Sequence, residues 1–359
     1  MPNRHARVSV FRVVFALGIV CLLQLFQQPA LAGTVASQLP AAVALANRTA
    51  PAYFPVFTPE SRWNTPLRGD EAVDPNSGPY LGTLDWAMER HGTLAINLDE
   101  YTVPIWYADS STPRYKVWCT AGWGCGPGFG DDVPIPDEAQ FDPAGDGHMV
   151  VIDLERQLSY EFWRAWKGNS GWYAGFGIVF NTRADPAGEY PYFGGVLDPV
   201  GHQYSTWTPS ARASGVSLLG GLIRYGELSA GRIDHALAFS FPYTRGDAYA
   251  LPMATHSDNM HTPDRMAGHN LPLGAHLRLR ADVHVDERCG GNPSCAAIGR
   301  ALQEYGMYLV DTSYRTTLYA EGLYGKDVSW EGLLGRRDAT SFGAHDFEVL
   351  ALPELTAAP

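Results

Sequence analysis

The chain has 359 residues, 26 lysines and arginines against 38 aspartates and glutamates, and a formal net charge of −12. Hydrophobic residues make up 45% of the chain, which is enough for the core of one large domain or two small ones. Such an acidic chain repels nucleic acid and anionic lipid, and no basic cluster along the sequence offers either partner a binding surface.

The first 32 residues have the pattern of a signal peptide. Three arginines precede an almost unbroken apolar run from Val13 to Phe26, and small residues follow at Ala30 and Ala32, where a signal peptidase reads the chain. The apolar run is too short to cross a bilayer comfortably, which disfavours a membrane anchor. We therefore expect cleavage before Gly33, secretion into the extracellular or periplasmic space, and no stable membrane anchor after processing. Residues 1–32 contain three arginines and no acidic residue, so the mature chain would have a formal net charge of −15.

Beyond the signal peptide, the sequence predicts a flexible lead-in over residues 33–56 and a single β-rich domain over residues 57–350. The first segment is rich in Ala, Pro and Thr without strong periodicity, and the second contains no long linker or repeat. Glycine and proline punctuate short apolar segments, as they do where many strands join through turns. These features predict an all-β fold, an antiparallel β-sandwich or jelly roll with one or two minor helices. A β-propeller is the second choice.

Individual elements follow from periodicity and capping signals. Helices are predicted from Tyr80 to Arg90 and from Ser294 to Tyr305. A β-hairpin is predicted in which His148–Asp153 and Leu158–Ala165 join through a short polar turn. Further strands are predicted over residues 172–181, 232–241, 276–285 and 307–312.

Four cysteines follow the signal peptide, in two pairs of identical spacing. Each pair encloses five residues, several of them glycine. In an oxidising compartment this pattern predicts two local disulfides, Cys119–Cys125 and Cys289–Cys295. A zinc site with four thiolates is the competing interpretation, but the spacing differs from that of the common zinc knuckles.

The predicted hairpin carries the first group of candidate catalytic residues. With Val150 opposite Glu161, strand alternation places His148, Glu161 and Trp163 on one face, and Asp146 extends that face. A carboxyl group beside an indole is typical of a saccharide cleft, where the aromatic ring stacks on the sugar. The alternative is an ordinary solvated sheet face. The opposite face has a core pattern, formed by Met149, Val151, Tyr160 and Phe162.

A second candidate group lies in the glycine-flanked segment from Gly220 to Leu237. Arg224 and Glu227 stand in a turn, and His235 lies on the following predicted strand among apolar residues. A glycosidase needs two carboxyl groups on opposite sides of the scissile bond, and Glu227 is the best candidate for the second one. The alternatives are a structural ion pair between Arg224 and Glu227, and a core histidine at position 235.

Histidines recur in the segment from His256 to His276, with aspartates between them. No spacing in this segment is typical of a metal site, so we expect no cofactor, and a metal held here is the minority interpretation. Arg278 and Arg280 alternate with leucines on the next predicted strand. They either bind a carboxylate-bearing sugar or solvate a sheet face.

Several catalytic motifs are absent from the sequence. It contains no G-x-S-x-G elbow, P-loop or dinucleotide fingerprint, which disfavours lipase-type serine hydrolases and nucleotide-dependent enzymes. If both disulfides form, no cysteine of the mature chain is left to act as a nucleophile.

Four strings of the chain resemble a family of secreted bacterial proteins. They are Asp146–Asp153 (DGHMVVID), Tyr160–Trp163 (YEFW), Gly231–Leu237 (GRIDHAL) and Gln303–Asp311 (QEYGMYLVD). Some members of that family carry carbohydrate-binding or other extracellular modules. The resemblance covers most of the mature chain. It implies secretion and a single β-rich domain, but it assigns no catalytic residue.

These features favour a carbohydrate-active enzyme. We expect a glycoside hydrolase that acts on an extracellular polysaccharide or oligosaccharide, with Glu161 and Glu227 as its carboxyl pair. A polysaccharide lyase that uses His or Tyr as base and Arg to neutralise a uronate is one alternative, and a non-catalytic lectin is another. The other predicted site residues are Asp146, His148 and His235 in catalysis, and Trp163, Trp166, Arg224, His256 and Arg278 in substrate binding.

Overall fold

A computed structural model describes residues 41–50, 56–182, 192–193, 196–197, 210–258 and 269–358. The predicted signal peptide lies outside these residues. Leu39–Pro359 forms one compact unit. Its first element is helix α1, residues 41–49, where the composition predicted only a flexible lead-in. Asn47 exchanges two hydrogen bonds with the backbone of Tyr107, at 2.6 and 3.1 Å, and these order the segment.

Two large sheets carry the fold. The six-stranded sheet has the order β1 (Ala95–Asn97), β18 (Thr317–Tyr319), β13 (Leu237–Phe241), β17 (Met307–Thr312), β16 (His276–Leu279) and β20 (Phe347–Val349). The five-stranded sheet has the order β10 (Phe176–Asn181), β7 (Leu158–Trp163), β6 (Met149–Asp153), β2 (Val103–Ala108) and β19 (Glu321–Gly322).

Smaller sheets and a few helices complete the described structure. One three-stranded sheet joins β4 (Val117–Cys119), β9 (Gly171–Ala174) and β8 (Trp166–Gly168), and another joins β15 (Pro272–Leu273), β14 (Arg245–Tyr249) and β21 (Thr356–Ala357). Two short pairs are β3 (Arg114–Tyr115) with β5 (Val133–Pro134), and β11 (Tyr192–Phe193) with β12 (Val196–Leu197). The remaining helices are α2 (Ser77–His91), α3 (Tyr225–Ser229), α4 (Val285–Cys289), α5 (Pro293–Glu304) and a 3-10 turn, Ala344–Asp346.

Both large sheets bury apolar side chains on both faces. Alternate residues of β2 and β6, such as Ile105 and Val150, pack against Val310 of β17 in a core between the two sheets. The other face of the six-stranded sheet packs against α2 and α5. The other face of the five-stranded sheet packs against the three-stranded sheet that holds Val117 and Trp172. The fold is therefore a layered β-structure with helices on one side.

The prediction of a β-rich fold with minor helices is confirmed. The pairing is mixed, because β13 runs parallel to β17 and β2 runs parallel to β6, alongside the antiparallel hairpin of β6 and β7. Parallel pairs need long crossover connections. Here the segments between β2 and β6, and between β13 and β17, contain several further elements.

Most predicted elements are present, with shifted ends. The hairpin has the predicted register, with Val150 opposite Glu161. The strand predicted over residues 172–181 is divided at Gly175, whose N–H donates to the carbonyl oxygen of Trp163. The strand predicted over residues 232–241 is confined to β13. The strand predicted over residues 276–285 is confined to β16, because the chain turns into α4 at Val285.

The cysteines form the two predicted disulfides, Cys119–Cys125 and Cys289–Cys295. The four-thiolate zinc site is thereby excluded, since all four sulfur atoms are bonded to each other in pairs. None of the helices within the described ranges is both long enough and apolar enough to cross a membrane.

A pair of glycines provides a test of how tightly the two-sheet core is packed. Gly221 and Gly231 both have positive φ, at +70° and +80°. A Cβ atom on Gly221 would lie 2.3 Å from the backbone nitrogen of Ala238 and 2.6 Å from the Trp63 ring, whereas one on Gly231 would meet open space. Gly231→Ala should lower the free energy of unfolding by about 1–2 kcal/mol, the cost of the backbone conformation alone. Gly221→Ala should lower it by about 4 kcal/mol or more. Denaturant unfolding measures both, and equal losses would contradict this packing.

Candidate functional site

Two adjoining cavities form a cleft on the protein surface. The first has a volume of about 870 Å³ and the second of about 970 Å³. They share five lining residues, Asp146 and the run Asp311–Tyr314. Each cavity lies in the size range of small-molecule sites. The two carboxyl groups therefore stand where the two halves of the cleft meet.

The topology explains why Asp311 reaches this position. Asp311 and Thr312 end β17, and β17 lies parallel to β13, whose Ser240 also lines the first cavity. In α/β sheets, ligands bind outside the carboxyl ends of parallel strands, and the cleft lies at the corresponding ends of this pair. Asp146 is brought to the same place by the loop that precedes β6.

The Asp311 carboxyl group is electrostatically suited to hold a proton. Burial raises its pKa to about 7, and the nearby carboxylates of Asp146 and Asp258 add to that rise. The Thr312 N–H, which donates to Asp311 Oδ1 at 2.8 Å, and the Arg212 guanidinium act in the opposite direction. Asp311 is therefore partly protonated near neutral pH, as a general acid must be.

Asp146 occupies a different environment. Its Oδ1 accepts a hydrogen bond from the indole Nε1 of Trp163 at 3.3 Å. Trp163 lines the second cavity, and the Arg164 guanidinium covers its ring at 4.3 Å from the centroid. Asp146 is thus oriented as a hydrogen-bond acceptor beside an aromatic side chain. The predictions that Asp146 and Trp163 lie together at a cleft agree with this geometry.

The wall of the second cavity holds further polar groups. Asp258 accepts a hydrogen bond from the Thr312 hydroxyl and another from the Thr244 hydroxyl at 3.4 Å. His256 also lines this cavity, where burial lowers its pKa to about 4 in spite of the neighbouring Asp258. His256 is therefore neutral near pH 7.

His148 lines the second cavity, as the hairpin pattern predicted, but it is 97% buried with 3% of its surface exposed. Its Nε2 donates to the carbonyl oxygen of Ala211 at 3.1 Å. Burial lowers its pKa. His148 supports the 210–213 segment of the cavity wall and is neutral there.

Exposed aromatic side chains complete the cleft. Tyr314, which is 76% exposed, stands at the junction of the two cavities and packs edge-on against His91 at 5.0 Å. Trp123, which is 54% exposed, lines the second cavity from the loop closed by the Cys119–Cys125 disulfide. Flat, solvent-facing rings of this kind are suited to stack on sugar rings.

Glu161 does not line the cleft, and the prediction that it would is wrong. The register is as predicted, but the face it shares with His148 is covered by the loop 217–220, which leaves Glu161 with 0% exposure. Its carboxyl group accepts hydrogen bonds from Ser159 Oγ at 3.1 Å, from the Ser217 hydroxyl, and from Leu218 N at 2.7 Å. Burial raises its pKa to about 7. Glu161 is a structural residue.

Arg212 binds the carbonyl oxygens of the same loop. Its guanidinium donates to the carbonyl oxygens of Ser217, Leu218 and Gly220, at 2.6 to 3.0 Å. It also stands 5.1 Å from the ring centroid of Tyr319, and it lines the second cavity with 2% of its surface exposed. Glu161 and Arg212 together hold the loop that covers the sheet face.

The second predicted group is also held inside the fold. Glu227 accepts hydrogen bonds from Arg224 Nε at 3.0 Å and from His235 Nε2 at 3.1 Å, and none of the three lines either cavity. Burial alone would raise the pKa of Glu227, but His235 and Arg224 lower it to about 2. The structure therefore places these three side chains in one hydrogen-bonded group away from both cavities, and their roles in catalysis and substrate binding stay predictions.

Two predicted sugar ligands lie outside the cleft. Arg278 pairs with Glu71 at 2.8 Å and with Glu348, its cross-strand neighbour on β20. Trp166 lies on β8 in the small sheet, 44% exposed and stacked on Tyr173 at 4.0 Å. Neither residue lines either cavity. The cleft therefore does not include them, and their predicted roles in substrate binding stay predictions.

The histidine segment shows no metal arrangement in its described part. His276 donates from Nε2 to the carbonyl oxygen of Tyr305 at 2.8 Å and stacks on Tyr308, whereas His256 faces the second cavity. Across the described ranges, no group of three or more His, Cys, Asp or Glu side chains is placed to hold a metal ion. His261 lies outside the described residues.

The sequence reasoning missed Asp311, Asp258, Arg212, Trp123 and Tyr314. A signal for Asp311 was available, because it follows the apolar segment Met307–Val310 and so ends a buried strand with a carboxyl group. For the other residues no periodic pattern distinguishes a cleft position from an ordinary loop.

Comparison with known proteins gives no assignment: no protein-family profile, no curated protein and no solved structure matches this chain.

The assignment of Glu161 as structural can be tested by two substitutions. Glu161→Ala removes the acceptors of Leu218 N–H and two hydroxyls and should lower the free energy of unfolding by about 2–4 kcal/mol. Glu161→Gln resembles the protonated carboxyl group, so most of that stability should remain. Chemical denaturation at neutral pH measures both. A Gln variant as unstable as the Ala variant would contradict the assignment.

Proposed function

We propose that the protein is a secreted carbohydrate-active enzyme, a glycoside hydrolase that acts on an extracellular polysaccharide. Its carboxyl pair is Asp311 and Asp146, in place of the glutamates that the sequence pattern favoured. The observation that carries the proposal is that these two carboxyl groups stand at the junction of two cavities. A glycosidase cleaves its substrate between two subsites, with one carboxyl group on each side of the scissile bond.

Asp311 serves as the general acid in this proposal. Its raised pKa leaves a proton on the carboxyl group near neutral pH, and that proton passes to the glycosidic oxygen of the departing sugar. Asp146 takes the second role, as base for a water molecule or as nucleophile towards the anomeric carbon. The hydrogen bond from Trp163 Nε1 holds the Asp146 carboxylate in one orientation.

In this proposal, the aromatic side chains bind the uncharged faces of the sugar rings. Trp163 and Trp123 line the second cavity and Tyr314 stands between the two cavities. Aromatic rings are large and rigid, and they offer a broad apolar surface for contact. Secretion of the protein is part of the proposal, and the predicted signal peptide and the two disulfides support it.

Substitution of the two aspartates tests the catalytic proposal. Asp311→Asn and Asp146→Asn keep the side-chain shape but remove proton transfer, so each should lower turnover by about 100-fold or more. The measurement is the release of reducing ends by the mature protein from a panel of polysaccharides.

The matched control is Asp286→Asn, which removes a 78% exposed carboxylate paired with Arg300 outside both cavities. This variant should keep turnover within about twofold of the wild-type value, since exposed ion pairs contribute little to stability. Wild-type turnover in both Asn variants would exclude the proposed pair. Products with the ultraviolet absorbance of an unsaturated uronate would indicate a lyase, and binding without products would indicate a lectin.

The pH dependence of the rate gives a second test. Asp311 acts as an acid only while protonated, and its protonated fraction falls as the pH rises through a pKa of about 7. The value of kcat/KM should therefore decline on the alkaline side with a midpoint near pH 7, about tenfold for each further pH unit. Far-ultraviolet circular dichroism over the same range checks that the fold persists. A rate that stays constant well above pH 7 would remove Asp311 as the acid.

A further inference from the structure

The first cavity differs from the second in its charge. Three arginines line it, Arg315, Arg336 and Arg337, and Glu100 is the carboxylate on its wall besides the Asp146 and Asp311 pair. The second cavity is lined mainly by aromatic and histidine side chains, with Arg212 as its arginine. A cluster of three arginines is unexpected in a chain whose net charge is −12.

Two of these arginines have no carboxylate partner among the residues that the structure describes. Most arginines of the described chain form ion pairs, and Arg336 pairs with Asp99 at 3.4 Å. Arg315 and Arg337 form no ion pair with any carboxylate of the described residues, although both are exposed on an acidic protein. Both guanidinium groups are therefore available to an anion that enters the first cavity.

Backbone hydrogen bonds fix the positions of the chain segments that carry Arg315 and Arg337. The edge strand β1 lies between them: Ala95 N donates to the carbonyl oxygen of Thr316, and Ile96 N donates to that of Arg336. The carbonyl oxygen of Arg337 accepts hydrogen bonds from Thr340 N at 2.9 Å and from Thr340 Oγ1 at 2.7 Å. The two arginines thus stand on fixed segments on either side of one strand.

We infer that the first cavity binds the anionic group of an acidic polysaccharide, with Arg315 and Arg337 as its ligands. Guanidinium groups bind carboxylate and sulfate through paired N–H donors, and they stay charged at every physiological pH. The inference rests on the proposed function, which makes the cleft a polysaccharide site. It adds that the substrate carries uronate or sulfate groups beside the sugar that is cleaved.

Affinity electrophoresis of the mature protein tests this inference without requiring turnover. The gels contain polygalacturonate, alginate or dextran sulfate, and the neutral controls contain carboxyl-reduced polygalacturonate or dextran. The wild-type protein should be retarded by at least one anionic polymer and not by its neutral counterpart. Retardation by dextran sulfate alone identifies sulfate, and retardation by a polyuronate alone identifies carboxylate.

Substitution of Arg315 and Arg337 tests whether these two residues bind the anionic polymer. The double variant Arg315→Gln, Arg337→Gln should weaken binding about tenfold or more, since it removes both charge-assisted contacts. Arg62→Gln is the matched control, because Arg62 is exposed, lines neither cavity and forms no ion pair with the described residues. It should bind like the wild type.

The results separate this inference from the proposed function. Anionic binding that depends on the two arginines, without any hydrolysis, would support the inference and contradict the proposed enzyme. If the wild type hydrolyses neutral polysaccharides and the double variant hydrolyses them equally well, the result would support the proposed enzyme and overturn the inference. Absence of retardation in every anionic gel, or equal retardation of the double variant, would also overturn it.

Discussion

One loop, residues 217–220, is held between two buried side chains of opposite charge, and the second half of the cleft depends on it. Glu161 accepts hydrogen bonds from the donors of the loop, and Arg212 donates to its carbonyl oxygens. The Glu161 carboxyl group and the two terminal nitrogens of Arg212 hydrogen-bond groups that burial would otherwise leave unpaired. The same Arg212 lies in the wall of the second cavity and lowers the pKa of Asp311, which opposes the effect of burial.

The position of the cleft follows from strand direction. Because β13 and β17 are parallel, their carboxyl ends open on the same edge, and the segment that follows β17 supplies the shared wall of both cavities. The antiparallel hairpin β6–β7 adds Asp146 and Trp163 at one of its ends. An entirely antiparallel sandwich would alternate strand directions and would not align the ends of two neighbouring strands in this way.

Charge is distributed unevenly in the molecule. Inside the fold, Glu227 forms an ion pair with Arg224 and a hydrogen bond with His235, and Arg278 forms ion pairs with Glu71 and Glu348. In the cleft, Asp311 remains without an ion pair among the described residues and keeps a raised pKa. Glu161 has a similarly raised pKa but is enclosed by the fold, whereas Asp311 combines a raised pKa with a place on the cavity wall and is therefore the candidate for chemistry.

Strand alternation, cysteine spacing and helix patterns were enough to predict part of the structure of this protein. Alternation determined the register of the β6–β7 hairpin and the core positions of Tyr160 and Phe162, and cysteine spacing determined both disulfides. Helix α5 was predicted from Ser294 to Tyr305, and it runs from Pro293 to Glu304. The structure adds its N-cap, Asn292, whose side chain accepts from Ser294 N and Cys295 N.

Only the tertiary structure decided which polar residues meet at a cleft. Glu161 and Trp163 share one sheet face, yet a loop more than fifty residues away covers Glu161 and leaves Trp163 at the cavity wall. The pairing of Asp146 with Asp311 likewise joins a loop before β6 to the end of β17. Alternation is a local property that fixes the side of a strand on which a residue lies. Whether that side meets water, a loop or another sheet depends on contacts between segments distant in sequence, which no local period encodes.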